Sequence, residues 1–127
     1  MKTKHLDATG KGLYSYDYLN NTLVFKIKDR DYDFSIEFDN LVADIDKEGF
    51  ITGLRLFDAS KVFGLSKISL KNLKDFKFDT KVEKNVVTIR LQFVCVLRNK
   101  PLIRQGQDFV REVQTENIKD SEVLCTV

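Results

Sequence analysis

The stretch LVADIDKEGFITGLRLFDAS, residues 41–60, decides the fold. Leu41, Ala43 and Ile45 alternate with Val42, Asp44 and Asp46, the period of two that marks a half-buried strand. Asp46-Lys47-Glu48-Gly49 predicts a tight turn, with Gly49 supplying the left-handed position. Phe50 to Phe57 predicts the returning strand, its core face carried by Leu54 and Leu56. Gly53 leaves a gap in that strand where a backbone or a bulky side chain can approach. Asp58 or Ser60 then predicts the cap of a short helix, Lys61 to Leu65, closed at Gly64.

Upstream, Leu13–Leu19 and Thr22–Lys28 predict a hairpin turning at Asn20-Asn21, because asparagine tolerates positive φ. Leu23, Phe25 and Ile27 share one face of the second strand. Tyr14, Tyr16 and Tyr18 share a face of the first, where a tyrosine row serves either as amphipathic packing at a sheet rim or as a stacking platform for bases or sugars. Asp29-Arg30-Asp31 turns the chain into a strand carrying Phe34, Ile36 and Phe38. Every connection is short, which predicts a five-stranded meander over this half. Met1 to Gly12 is polar and predicts a loosely attached tail holding the lone His5.

Downstream, Ile68–Asp75 reads equally as a helical turn or a short strand. Phe76, Phe78, Thr80 and Val82 predict a strand that turns at Glu83-Lys84-Asn85. The strongest β signal follows: Val87, Ile89, Leu91, Phe93, Cys95 and Leu97 lie on one face, and Val94 and Val96 turn the other face apolar at its end. After a turn at Arg98–Pro101, a last long strand is predicted from Leu102 to Thr115, with Gln105-Gly106 as a bulge. Val123 to Val127 adds an edge strand, in this chain or in a neighbouring subunit. The predicted class is mainly β (β-rich α+β): an antiparallel meander with one short helix over 14–65 and a β-rich extension over 66–127. Together they make one domain across 1–127, of a size that buries about two thirds of the unfolded chain's surface.

The formal net charge is +2, but it is unevenly spread. Asp29–Asp58 holds nine acidic and three basic residues, and Lys61–Lys84 holds seven lysines and three acids. Complementary solvated faces are the plain reading, and self-association or a charged partner the sharper one. Asp44, Asp46 and Glu48, followed by Gly49, have the spacing of the start of a calcium loop. That loop requires a bidentate Glu at its twelfth position, where this chain has Arg55, so an Asp-rich β-turn is the better reading and the three acids are the candidate cation ligands. Lys71, Lys74, Lys77, Arg90 and Arg98, with Arg104 and Arg111 nearby, are the candidate nucleic-acid face.

No Ser/His/Asp set, Cys/His pair, GxGxxG or phosphate loop is present in the sequence, so the reading is non-enzymatic and without a cofactor. Cys95 and Cys125 belong to no CxxC and read as reduced, partly buried thiols in a cytoplasmic protein, with a disulfide between them as the alternative. The N-terminus lacks the apolar core of a signal peptide, and no run of about 18 apolar residues predicts a membrane span.

Tyr16-Asp17, Leu23-Val24-Phe25, Asp44-x-Asp46-x-x-Gly49-x-Ile51-x-Gly53 and Asp58-Ala59-Ser60 together resemble a small family catalogued as domain of unknown function 2283. The resemblance covers about residues 14–62. Leu54-Arg55-Leu56 replaces the family's acid-centred strand, and the extension after Gly64 lies outside its usual unit. The resemblance implies a small β-meander with a short helix and brings no catalytic residues. It also implies an accessory role, as an adaptor or an antitoxin-like protein. Two functions are therefore carried forward. The first is a non-catalytic protein-interaction or oligomerisation module, a homodimer or higher oligomer because strand edges need covering, with a further protein partner. The alternative is a nucleic-acid-binding accessory protein using the basic face of residues 61–111.

Overall fold

The computed structural model describes residues 3–97, 100–113 and 118–127. In chain order its elements are β1 (Lys4–Ala8), β2 (Gly12–Asp17), β3 (Thr22–Ile27), β4 (Phe34–Phe38), β5 (Leu41–Ile45), β6 (Ile51–Leu56), α1 (Ala59–Phe63), α2 (Lys67–Leu70), β7 (Leu73–Glu83), β8 (Val86–Leu97), β9 (Lys100–Glu112) and β10 (Ser121–Thr126). The strands form two five-stranded sheets, β2-β3-β6-β5-β4 and β1-β10-β7-β8-β9. The mainly β class is as the sequence predicts, with two short helices in place of one.

The two sheets pack face to face. Leu23, Phe25, Ile27, Leu54 and Leu56 of the first meet Phe76, Phe78, Ile89, Leu91 and Phe93 of the second in one hydrophobic cluster. At its centre Phe25 and Phe76 stack with ring centroids 3.7 Å apart and planes 2° from parallel. Phe63 of α1 meets Phe93 edge-on at 4.8 Å, which plugs one end of the layer. The period-2 faces of β3, β5, β7 and β8 are thus the faces buried between the sheets.

The first sheet is not the simple meander that short connections imply. β2–β3 is a hairpin and β4–β5–β6 a meander, but β6 pairs antiparallel with β3, so β4 lies at the far edge. This is a Greek key. The β3–β4 connection makes it possible. Residues 28–33 can reach about 20 Å when extended, whereas three inter-strand steps need only about 14 Å.

Four further local predictions are corrected. The tail does not hang free: Lys4–Ala8 is a strand, paired in parallel with β10. β10 is accordingly an inner strand between β1 and β7, not an edge. The first hairpin pairs Asp17 with Thr22, so its loop spans residues 18–21, and only Asn21 takes positive φ (53°). β9 carries no bulge at Gln105-Gly106: these residues pair in sequence with Phe93 and Gln92, and the register shift falls between Cys95 and Leu97 of β8. The ambiguous segment resolves into both readings, a helical turn (α2) and then the start of β7. Residues Arg98 and Asn99 of the predicted turn, and Gln114 and Thr115 of the predicted last strand, lie outside the described residues.

Cys95 and Cys125 are free and buried. Burial raises both thiols, Cys125 to about 11. The neutral thiol is the form the fold favours, so its contribution is complete below the unfolded thiol's pKa and is lost as pH rises through the folded value. Stability is expected to fall by on the order of 2 kcal/mol between about pH 9 and 11 for this group. Comparing urea midpoints of the wild type and Cys125→Ala over that range checks it: an equal decline in both would refute the assignment.

Candidate functional site

The acidic turn is built around Asp46. Its Oδ1 accepts from the backbone N–H groups of Glu48 and Phe50, each at 3.0 Å, and its Oδ2 accepts from Arg30 at 2.7 Å. Gly49 sits at φ 90° and donates its N–H to Asp46 O, as the turn requires. Asp44 faces away from the core, where Oδ1 accepts from Ser35 Oγ (2.6 Å) and Arg55 Nη2 (2.8 Å). A Cβ on Gly53 would stand 3.3 Å from the Asp44 carboxylate, so the gap predicted at Gly53 houses that carboxylate. Glu48 lies 3.7 Å from Arg30. The three acids do not converge: Asp44 is committed to Arg55, and Asp46 and Glu48 to Arg30. What sequence reasoning missed was the two arginines. The β5–β6 hairpin register, which pairs Val42 with Arg55 and Asp44 with Gly53, is the signal for Arg55.

The tyrosine row divides. Tyr14 donates to Leu73 O (2.6 Å) and Tyr16 to Asn21 Oδ1 (2.7 Å), so both are committed to holding the fold. Tyr18 lies in the loop, with Lys71 Nζ 4.5 Å and Lys67 Nζ 5.3 Å from its ring centroid. The basic residues divide too. Lys71 belongs to that aromatic cluster, Lys74 is exposed near the start of β7, and Lys77 lies on the outer face of β7. Arg90 pairs with Asp108 at 3.2 Å. Around it Lys81 pairs with Glu83 and Glu122, and His5 lies 3.2 Å from Glu122, so the outer face of this sheet alternates in sign. Arg98 lies outside the described residues.

The feature left over is the open side of the two-layer packing, where β4 and β9 are the edge strands of their sheets. Among the described residues β4 bonds only to β5, and β9, thirteen residues long, only to β8. Between them runs a depression. A cavity of about 280 Å³ is lined by Phe38, Val62, Phe109 and Arg111 together with the acids Asp39 and Asp108. A shallower groove of about 380 Å³ continues past Phe34, Ile36, Glu37 and Glu112. Arg111 borders both. Its guanidinium lies 5.9 Å from the Phe38 ring centroid and 3.8 Å from Asp39 Oδ1, spanning the gap between the sheets. Phe34, Ile36 and Phe109 are only partly buried there, and Val110 on the β9 edge is 66% exposed. Sequence reasoning placed Arg111 with the basic groove residues; its apolar and acidic neighbours come from strands that only the sheet order brings near.

No helix among the described residues is long and apolar enough to cross a membrane. Comparison with known proteins locates the chain among archaeal relatives. It is similar to "Uncharacterized protein MJ0789" of Methanocaldococcus jannaschii, 28% identical over 110 residues that cover 86% of this chain and 93% of that protein. It is also similar to a Methanosarcina mazei protein named "Putative hypoxanthine phosphoribosyltransferase", 30% identical over 95 residues, 75% of this chain and 76% of that protein. Alignments of that length extend well past α1, so the similarity reaches into the part of the chain that forms the second sheet. No solved structure matches the chain. The family model for "Protein of unknown function (DUF2283)" matches residues 13–60, which run from β2 into α1 and comprise the whole Greek-key sheet. With that sheet matched, residues 13–60 of the chain are a DUF2283 unit.

Proposed function

We propose that the chain is a cytoplasmic, non-catalytic protein-interaction module whose working surface is the β4/β9 side. The observation that carries this reading is the β9 edge: thirteen residues whose outward backbone groups have no strand partner among the described residues, beside a groove lined by both apolar and charged side chains. An edge of that length is a template for strand addition, and proteins that leave one open either blunt it or use it. Phe34, Ile36 and Phe109 supply the side-chain pockets such a strand would fill, and Arg111 a charge to fix its direction. The transfer reaction in the name of the Methanosarcina protein calls for binding a polyanionic phosphoribosyl donor. The cavity here sets Asp39 and Asp108 against a single Arg111, a balance that opposes such a ligand.

The test is affinity capture of the tagged full chain from its native lysate, with nuclease, beside the variants Ile36→Lys and Val110→Lys. One stoichiometric partner that resists nuclease, held by the wild type and reduced at least about tenfold by both variants, supports the module. Capture that disappears with nuclease, or is indifferent to both edge substitutions, overturns it. A thermal melt confirms that each variant is folded.

A further inference from the structure

β4 presents two different faces at the open side. Phe38 and Leu41 flank a two-residue turn and exchange ladder bonds with each other. By alternation, the N–H and C=O groups of Ser35 and Glu37 point away from β5, to the open edge. An added strand would bond there. Its residues opposite Phe34, Ile36 and Phe38 would turn inward, over the groove that Arg111 and Val113 border from the other sheet. Phe34 and Ile36 are half-buried and gain from apolar cover. Its residues opposite Ser35 and Glu37 would turn outward, where the chain is acidic. Asp31, Asp33 and Glu37 are exposed, and among the described residues none has a cation within ion-pair distance. Asp39 has Arg111 at 3.8 Å. Arg30 and Arg55 are committed to Asp46 and Asp44. A charge pointing inward would close such an edge. Here the inward positions are Phe34, Ile36 and Phe38, so the acids leave the edge open and set its preference.

We propose that the β4 edge takes an extended basic segment of a partner protein, paired antiparallel. Apolar residues of that segment lie opposite Phe34 and Ile36, and lysine or arginine lies opposite Glu37 and beside Asp33 and Asp39 at the two ends. The proposal rests on the reading of the β4/β9 side as an interaction surface and adds the chemistry of its occupant. Charge complementarity and the outward backbone groups of Ser35 and Glu37 carry it. A second copy of this strand fails on the same grounds. Antiparallel pairing centred on Ile36 brings Asp33 against Asp39 at both ends. Centring it on Ser35 sets Asp33 against Glu37, and centring it on Glu37 sets Glu37 against itself. Each register puts like charges face to face, which destabilises a ladder. A nucleic acid, or any other polyanion, meets the same acids. A cationic strand turns them into favourable cross-strand pairs and excludes acidic competitors.

Fluorescence anisotropy of dye-labelled peptides with the full chain tests the proposal. The probe Lys-Val-Lys-Ile-Thr-Val-Lys carries the pattern. Glu-Val-Glu-Ile-Thr-Val-Glu reverses its charge, and Lys-Lys-Lys-Val-Ile-Val-Thr keeps its composition without the alternation. The probe is expected to bind with a Kd of about 100 µM at low salt, and both controls at least about tenfold more weakly. Glu37→Lys is expected to exchange the preference, weakening the basic probe and strengthening the acidic peptide, each by about fivefold or more. Glu37 is exposed, so the variant keeps its fold, and a thermal melt verifies it. Ile36→Lys puts a charge on the inward face and is expected to abolish binding. No binding of the probe overturns the proposal, as does indifference to Glu37→Lys. Equal binding of the shuffled peptide overturns it too, because that is charge adsorption without a ladder. A wild-type dimer that Ile36→Lys dissociates in sedimentation equilibrium gives the edge to a second copy and overturns the basic segment. A partner captured from lysate through Ile36, beside an unbound probe, overturns the basic chemistry and leaves the interaction surface standing. A probe bound as expected, beside a lysate that yields no partner, supports the basic strand while the wider module reading fails.

Discussion

Substituting Phe25 with alanine is expected to destabilise the fold by about 3–5 kcal/mol, a large part of the roughly 5–15 kcal/mol that holds a domain of this size together. Phe25 is fully buried and stacked on Phe76 at 3.7 Å. The two rings belong to different sheets, so their contact is where the DUF2283 unit meets the added one. Tyr14 lies near both, 6.4 Å from Phe25 and 6.2 Å from Phe76, while its hydroxyl donates to Leu73 O of the opposite sheet. Truncation opens a hole that its two aromatic neighbours cannot close, because Tyr14 is tethered by that bond and Phe76 is itself fully buried. The thermal midpoint should fall by about 10–20 °C. Phe76→Ala should behave similarly, and the double variant should lose less than the sum, since the two rings are stacked on one another. Urea midpoints measure all three. A loss below about 1 kcal/mol for Phe25→Ala, or strict additivity in the double variant, would mean that this stack does not join the sheets.

Much of this architecture was legible one strand at a time. Leu23/Phe25/Ile27, Leu41/Ala43/Ile45 and Val87 through Cys95 all alternate as half-buried strands do, and all are buried between the sheets. What could not be read was which strands are neighbours. Alternation specifies a face, and hydrogen bonding between strands is indifferent to sequence. A connection as long as residues 28–33 therefore fits either a meander or a Greek key. β1 is the clearest failure. Of Lys4–Ala8 only Leu6 and Ala8 face the core, and the strand exists because β10 offers it a backbone ladder, a cause located more than a hundred residues away.

The candidate site was legible in its residue types and illegible in its grouping. The acids at 44, 46 and 48 are spaced like ligands, yet Arg30 and Arg55, arriving from a preceding loop and a following strand, neutralise them. The lysines and arginines after residue 61 form a run in sequence but scatter between an aromatic cluster at Tyr18 and a sign-alternating sheet face. Conversely, the β9 edge contains no motif. Its significance depends on the sheet ending there, which nothing in the strand's own sequence announces.

Asn21→Ala is expected to remove about 3–4 kcal/mol, the second-largest single effect, and to do so by unfastening the two ends of the DUF2283 unit. Asn21 is buried, and its side chain makes three hydrogen bonds. Oδ1 accepts from Tyr16 Oη at 2.7 Å and from Ser60 N at 3.1 Å, and Nδ2 donates to Ser60 Oγ at 2.7 Å. Its backbone carbonyl also accepts from Ala59 N. Asp58, the residue before α1, sits at φ 54° and makes no side-chain cap, so the side-chain acceptor predicted locally is supplied instead by Asn21 across the fold. Tyr16 in β2 and Ser60 in α1 lie close to the first and last residues matched by the family model, and Asn21 binds both. Two costs combine in the alanine variant. The three bonds are worth about 1 kcal/mol each, and alanine at φ 53° adds about 1 kcal/mol more of backbone strain. Asn21→Gly separates them, because glycine accepts that backbone without strain but restores none of the bonds. Glycine should therefore recover about 1 kcal/mol of the loss and no more, read from urea midpoints of the three proteins. Full recovery with glycine would show that Asn21 is there for its φ angle alone, and would remove the physical reason for a tyrosine near one end of this family unit and a serine at the other.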